Sequence, residues 1–284
     1  IGLIAMLEEG FHLPRAGMGA IASAMTRELS RRSVPIRFGA PVREIAVENG
    51  AVRGVVLADG ERISTDCVVA TCSGFEVVRR LLPAHAAPRR LAHKARTAPL
   101  SHRAISIQVG CSGAVLPRAF ITNRVPSMRQ QAALHVSAPG VPQWLAYTCP
   151  SQVLPALAPN GKTVLELYAP ATGIHSVSEW TNAMTEAAVD DYLNAIQTHL
   201  PGLCIESVRV ADPQDFASER HLYEGALYGI APGTTPDTFF PHRAGLRGLY
   251  LGGQTTFPGY GVPTAMLSGI QAAEAAMQDR RGNA

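Results

Sequence analysis

Two glycine-rich runs near the C-terminus carry the residues best suited to binding chemistry. Leu249-Tyr250-Leu251 leads into Gly252-Gly253-Gln254, and Pro258-Gly259-Tyr260-Gly261-Val262-Pro263 opens an apolar stretch over 264–277. Glycine lets the backbone come close to a flat ligand. Pro263 suits a first helical turn, where its missing N–H costs nothing, and the free N–H groups of that turn face an electronegative ligand group. Acid–base candidates are fewer. His12, His102, His135 and His221 qualify by residue type alone, and a structural or solvated role is the ordinary reading of each. Cys67, Cys72, Cys111, Cys149 and Cys204 are odd in number and lack CxxC spacing. That argues against a zinc site or a disulfide framework, and points to small apolar residues in a reducing compartment.

A third run, Gly17-Met18-Gly19-Ala20-Ile21-Ala22, fits the GxGxxA pattern of dinucleotide sites. The fingerprint requires a buried strand before it and an acid closing a strand about 20 residues on. Phe11-His12-Leu13-Pro14-Arg15-Ala16 is no such strand, so the run is read as a loop that starts a helix.

The elements that position these residues follow from periodicity. Ile21, Met25 and Leu29 recur at helical spacing over 19–32. Strands are expected at 36–38, 42–47, 52–58 and 68–71, with Asn49-Gly50 and Asp59-Gly60 as hairpin turns. A short helix over 75–82 ends at Pro83. Further strands are expected at 104–109, 144–148, 162–169 and 204–210. The longest helix is read over 178–200, with Ser178 as its cap and Pro201-Gly202 as its stop, and residues 211–247 as irregular. A strand at 248–252 and a helix over 262–277 complete the chain.

With 284 residues there is room for two domains, and 46% hydrophobic against 17% charged residues excludes a disordered or fibrous chain. No apolar run approaches the ~18–20 residues of a membrane span. The opening Ile1–Leu7 is too short, and lacks the basic flank, for a signal peptide. Net charge is only +3, yet residues 77–165 hold eleven Lys and Arg and no Asp or Glu. Arg79, Arg80, Arg89, Arg90, Lys94, Arg96 and Arg103 form the densest part. Such a stretch suits an anionic membrane surface or an acidic partner, or is balanced by the acidic C-terminal third. With no recognition motif and few aromatic residues to stack bases, it does not suit nucleic acid.

Taken together, these runs resemble the bacterial phytoene desaturases and the related carotenoid isomerases and retinol saturases. Residues 1–20 are similar to the helix end and "PRGG" loop of that family, with Ala16 where the family has Gly. Val42-Arg43-Glu44-Ile45 with its hairpins, Glu224-Gly225-Ala226-Leu227-Tyr228-Gly229 and residues 249–273 resemble the family's meander, its "YG" stretch and its C-terminal flavin signature. The likeness covers the whole chain and is weakest over 83–210.

The resemblance implies an α/β fold: an incomplete Rossmann-like FAD-binding domain of the glutathione-reductase type with an inserted α+β substrate lobe. The expected boundaries are 1–82, 83–245 and 246–284. It implies FAD as cofactor, with Val42 facing the adenine, Gly253 and Gln254 beside the phosphates and ribityl chain, and Gly261, Val262 and Pro263 under the flavin ring. No catalytic side chain and no metal ligand is implied. The family's N-terminal GxGxxG unit is missing, and the chain does not begin with Met. The expectation is therefore a split or cleaved enzyme, or a piece of a longer one, whose βαβ unit comes from a second polypeptide.

The expected substrate is apolar and polyene-like, and the expected location is cytoplasmic, with peripheral membrane contact through 77–165. The alternatives are an FAD-dependent amine oxidase and a non-catalytic lipid-binding or scaffold subunit. Amine oxidases of the wider group place a lysine near the flavin. This chain has only Lys94 and Lys162, and the corresponding strand Ser101–Gly110 offers Ile105 and Ile107 instead. An apolar wall there is expected to keep water from the flavin.

Overall fold

The computed structural model describes residues 10, 12–114, 116–117, 121–124 and 145–282. His135 lies outside them. The chain divides into two units: Ile1–Gly39, Gln108–Leu167 and Asp191–Arg209 form the first, and Ala40–Ile107, Tyr168–Asp190 and Val210–Ala284 the second.

In the first unit, helix α1 (Gly19–Arg31) follows a turn closed by Gly17 N–H on the Pro14 carbonyl, at 2.8 Å. Leu13–Met18 contains no strand, so the GxGxxA match there has no dinucleotide context. Ala16 needs no left-handed backbone, which explains why alanine is tolerated where the family has glycine. Most of a five-stranded sheet belongs to this unit. Its strands are β5 (Arg103–Ser112), β6 (Ile121–Arg124), β7 (Leu145–Thr148), β8 (Thr163–Ala171) and β9 (Cys204–Ala211), in the order β6-β7-β8-β5-β9. Val109, Cys111, Leu145, Tyr147, Leu165 and Leu167 fill its interior. Cys111 and Cys149 are buried, and burial pushes the Cys111 thiol up to about 11, in keeping with an inert apolar role.

The second unit opens with an antiparallel meander of β1 (Val42–Glu48), β2 (Ala51–Leu57) and β3 (Arg62–Ser64). Asn49 and Gly50 both take positive φ, at 49° and 69°, which is the hairpin geometry their pairing predicts. Next comes a two-stranded parallel sheet, in which β4 (Val68–Ala70) pairs with β10 (Leu249–Leu251) in the register Val69↔Tyr250. A short helix α2 (Gly74–Glu76) widens into the turn Val77–Leu81. Helix α3 (Arg89–Thr97) turns Leu91 and Ala95 inward. The core joins Ile45, Val52, Phe75, Val77, Leu91, Ile230, Phe240, Leu249 and Leu251.

Three elements depart from the sequence reading. No strand forms at 36–38. The long helix α5 (Asn182–His199) starts later than Ser178, which instead sits in the separate turn Val177–Glu179. Trp180 is extended there, and its indole N–H donates to Thr185 at 2.8 Å, which breaks the helical path. Helix α6 (Pro213–Ser218) forms inside the stretch read as irregular, through a reciprocal capping box between Asp212 and Asp215. The remaining elements are α4 (Pro150–Val153) and the C-terminal helix α7 (Val262–Gly282).

Candidate functional site

Strand β10 delivers the chain into the loop 252–261, and buried hydroxyls fix that loop. Thr255 and Thr256 are fully buried. The Thr255 hydroxyl accepts from Gly74 N–H at 2.9 Å, and its carbonyl accepts from Phe240 N–H at 2.9 Å. Thr256 donates to the Gly253 carbonyl at 2.8 Å, while Gly253 N–H donates to Ser268 on α7 at 3.1 Å. The loop is therefore rigid through the protein's own contacts, as a site needs. One consequence is that the Gly253 amide is occupied. The Gln254 side-chain amide has no hydrogen-bond partner among the described residues, so it is the free donor of that pair.

The glycines have different causes. A Cβ on Gly253 would lie 2.6 Å from the Thr71 carbonyl oxygen, on Gly252 3.3 Å from Gly269 Cα, and on Gly259 2.8 Å from the Phe239 ring. Internal packing and φ of 95° and 105° account for Gly253 and Gly259, and Gly252 is closely packed. Gly261 differs. Its φ is 99°, it is exposed, and a Cβ there meets only the Thr264 hydroxyl at 3.1 Å. Val262 and Pro263 beside it are exposed as well. The first turn of α7 thus begins at a glycine whose Cβ position is open apart from the Thr264 hydroxyl, room that a side chain would fill. Of these four glycines, Gly261 alone leaves room for a ligand to approach the backbone.

The stretch 224–231 packs beside the loop. Gly229 sits against Thr255 and Gln254, and Ser101 N–H donates to the Gly229 carbonyl at 3.0 Å. This brings an aromatic row together: His102 meets Tyr228 edge-on at 5.2 Å, and Tyr228 stacks on Tyr260 at 4.5 Å. Tyr228 and Tyr260 were not among the residues singled out in the sequence, although "LYG" and "GYG" contain them. Arg103 is buried and holds the base of this stretch, donating to the Glu224 carbonyl at 2.6 Å and pairing with its carboxylate at 3.6 Å.

Val42 lies elsewhere in the unit, on a cavity of about 410 Å³ shared with Val69, Thr71, Cys72, Tyr223 and His221. Thr71 links the two groups of expected cofactor residues, since it lines this cavity and also abuts Gly253. His221 takes a left-handed φ of 54° at the rim. Burial, aided by the Glu76 charge, pushes the Cys72 thiol up to about 11, so it stays protonated near neutral pH. No group of His, Cys, Asp and Glu among the described residues could hold a metal ion. His12 is exposed and has no part in the site.

Two expectations about the surrounding wall need correction. Ile105 and Ile107 are 0% exposed, so they pack the interior and do not line an open channel. Lys162 pairs with Glu206, but Lys94 donates to the Asp237 carbonyl on a cavity of about 720 Å³ that Phe239 and Phe257 also line. Phe257 belongs to the glycine loop, so the one lysine of the second unit comes near that loop.

Residues 3–277 match the family of flavin containing amine oxidoreductases. The chain belongs to that family. Among relatives, a chloroplastic prolycopene isomerase of Daucus carota is 24% identical over 95% of this chain and 45% of its own length. A phytoene dehydrogenase of Streptomyces griseus is 31% identical over 93% and 53%. A solved oxidoreductase from Methanosarcina mazei superposes with a TM-score of 0.67 at 16% identity, over 96% of this chain and 58% of its own, which shows the shared fold. The chain spans about half the length of the curated relatives it matches. Flavin is the family's cofactor, and the open Cβ position at Gly261 leaves room for a ligand there.

Proposed function

We propose that this chain is the flavin-ring and substrate part of an FAD-dependent oxidoreductase that desaturates or isomerises an apolar, polyene-like molecule. The observation that carries the reading is the open first turn of α7 at Gly261, beside the stacked Tyr228 and Tyr260. Gly261, Val262 and Pro263 would hold the ring, with Gln254 and Gly253 beside the ribityl chain and Val42 at the adenine end. The bound cofactor would supply the two-electron acceptor. The helix-start N–H groups favour negative charge at the ring edge. Tyr228 and Tyr260 present stacked faces to an extended apolar substrate, and their burial of its surface is favourable by about 25 cal/mol per Å². The adenosine diphosphate end requires a glycine-rich βαβ turn that no described residues form.

Amine oxidation is the second reading, favoured by Lys94 beside Phe257. The assay that separates them follows anaerobic bleaching of the flavin-loaded assembly with a panel of polyenes and a panel of amines. Bleaching by polyenes and none by amines is expected. Fast bleaching by any amine, abolished in Lys94→Met, would place amine oxidation first.

The reading includes a peripheral site at an anionic membrane in a reducing compartment. No described helix is long and apolar enough to cross a membrane. Of the dense basic cluster, Arg79 caps the Ala95 carbonyl at 2.6 Å, Arg80 pairs with Glu76 at 3.3 Å, and Arg103 is internal. Arg89, Arg90 and Arg96 on α3 are exposed and make no ion pair or hydrogen bond among the described residues. Each contributes about 1 kcal/mol at an anionic surface, and three together about 100-fold in binding. Replacing all three by Glu should abolish co-sedimentation with phosphatidylserine vesicles at low salt. Unchanged binding, or equal binding to neutral vesicles, removes α3 from any membrane contact.

A further inference from the structure

The cavity of about 720 Å³ lies wholly within the second unit, lined by α3 and by the stretch 236–245. Its lining divides by chemistry. Phe239, Phe257, Pro236 and Pro241 make an apolar wall. Phe257 is 42% exposed and meets Phe239 edge-on at 6.2 Å. The α3 side is cationic, with Arg89, Arg90 and Lys94 all on the lining.

These cations stand together at a cost. Arg89 and Arg90 fall in the first turn of α3, which holds no acid and has no side-chain cap. A helix start is the least favourable place for positive charge. Arg90 and Lys94 are four residues apart on the helix, where like charges repel. Asp237 is the one acid among the described lining residues. Its carboxylate accepts from the Thr235 hydroxyl, and its carbonyl accepts from Lys94. His242 and Arg243 also line the cavity but are taken. His242 donates from Nδ1 to the Leu251 carbonyl and bonds Gln271 through Nε2, each at 3.0 Å, and Arg243 pairs with Asp279 at 2.9 Å. Arg89 and Arg90 are left with no ion pair or hydrogen bond among the described residues.

We propose that this cavity binds an amphiphile with a phosphate head group. Arg89, Arg90 and Lys94 hold the phosphate, and the apolar stem lies on Phe239 and Phe257. A phosphate has enough acceptor oxygens to take guanidinium and ammonium donors together. An uncharged apolar ligand would leave the cations uncompensated, and a bare phosphate would leave Phe257 uncovered. The volume is that of a small-molecule site. The site is separate from the flavin reading. It shares Arg89 and Arg90 with the membrane reading, but Arg96, also exposed on α3, does not line the cavity.

The test titrates dodecyl phosphate, below its micelle concentration, into the full chain by isothermal calorimetry. Inorganic phosphate and the uncharged dodecyl maltoside are the comparison probes. Saturable binding of one dodecyl phosphate per chain is expected, about tenfold or more tighter than either comparison. Changing Arg89 and Arg90 together to Gln should weaken it about tenfold or more, and Arg96→Gln should leave it unchanged. Phe257→Ser should bring dodecyl phosphate down to the affinity of inorganic phosphate. All these positions are exposed, so the circular dichroism of the variants should match that of the parent. Equal affinity for inorganic phosphate means that free phosphate is the ligand, and equal affinity for dodecyl maltoside means an apolar groove without anion recognition. Either result overturns the proposal. So does an equal loss in Arg96→Gln, which marks the general charge of the helix, or full binding by the double Gln variant or by Phe257→Ser. A chain that binds dodecyl phosphate but no anionic vesicle keeps this site and loses only the membrane reading.

Discussion

Purified alone and refolded with FAD, the chain is expected to come out colourless. The open turn at Gly261 is proposed for the ring end alone, and FAD is held chiefly through its diphosphate and adenosine, which a glycine-rich turn at a helix N-terminus grips. Here the GxGxxA match at Gly17–Ala22 is a turn running into α1, with no strand over 13–18. The cavity at Val42 offers mostly apolar walls, with Glu76 paired to Arg80, and a diphosphate gains little there. Retained flavin, read from visible absorbance after gel filtration, should be close to zero. It should approach one per chain when a segment carrying a GxGxxG βαβ unit is supplied with it. Stoichiometric yellow protein from residues 1–284 alone would show that these residues grip the whole cofactor without a glycine-rich βαβ turn.

How much of this was legible in the sequence depended on how local each signal was. Asn49-Gly50 names its own turn, and the meander around it formed as expected. Val262-Pro263 marks a helix start, and α7 begins there. By contrast, the capping box of Asp212 and Asp215 lay in plain view but was outweighed by surrounding turn residues. The strand at 36–38 carries a correct local pattern that fails for lack of a partner among the described residues, since a strand requires a neighbour and a helix does not.

At the site, residue type identified the glycine loop but not the cause of each glycine. Gly253 and Gly259 are explained by Thr71 and Phe239, contacts separated from them by long stretches of chain. The Tyr228–Tyr260 stack was invisible for the same reason, because neither tyrosine carries a sign of the other.

That distinction among glycines sets up the other large effect. Gly261→Val in the flavin-loaded protein should lower flavin occupancy at least tenfold, which needs about 1.4 kcal/mol. Two physical terms supply it. A β-branched residue at a φ of 99° is strained by about 1–3 kcal/mol, so the loop relaxes away from its present path. The new methyls also fill the open position and press on the Thr264 hydroxyl, which now donates to the Gly261 carbonyl at 3.0 Å and holds the first turn of α7. Because Gly261 is exposed, the buried core should survive, and the melting temperature should fall by only a few degrees. Gly253→Ala provides the contrast. Its Cβ collides with the Thr71 carbonyl at 2.6 Å inside the packed loop, so it should lower the melting temperature far more than Gly261→Val does. Flavin content and thermal unfolding measured on both variants separate a ligand-facing glycine from a packing glycine. If Gly261→Val keeps full flavin occupancy, the ring does not lie at the start of α7.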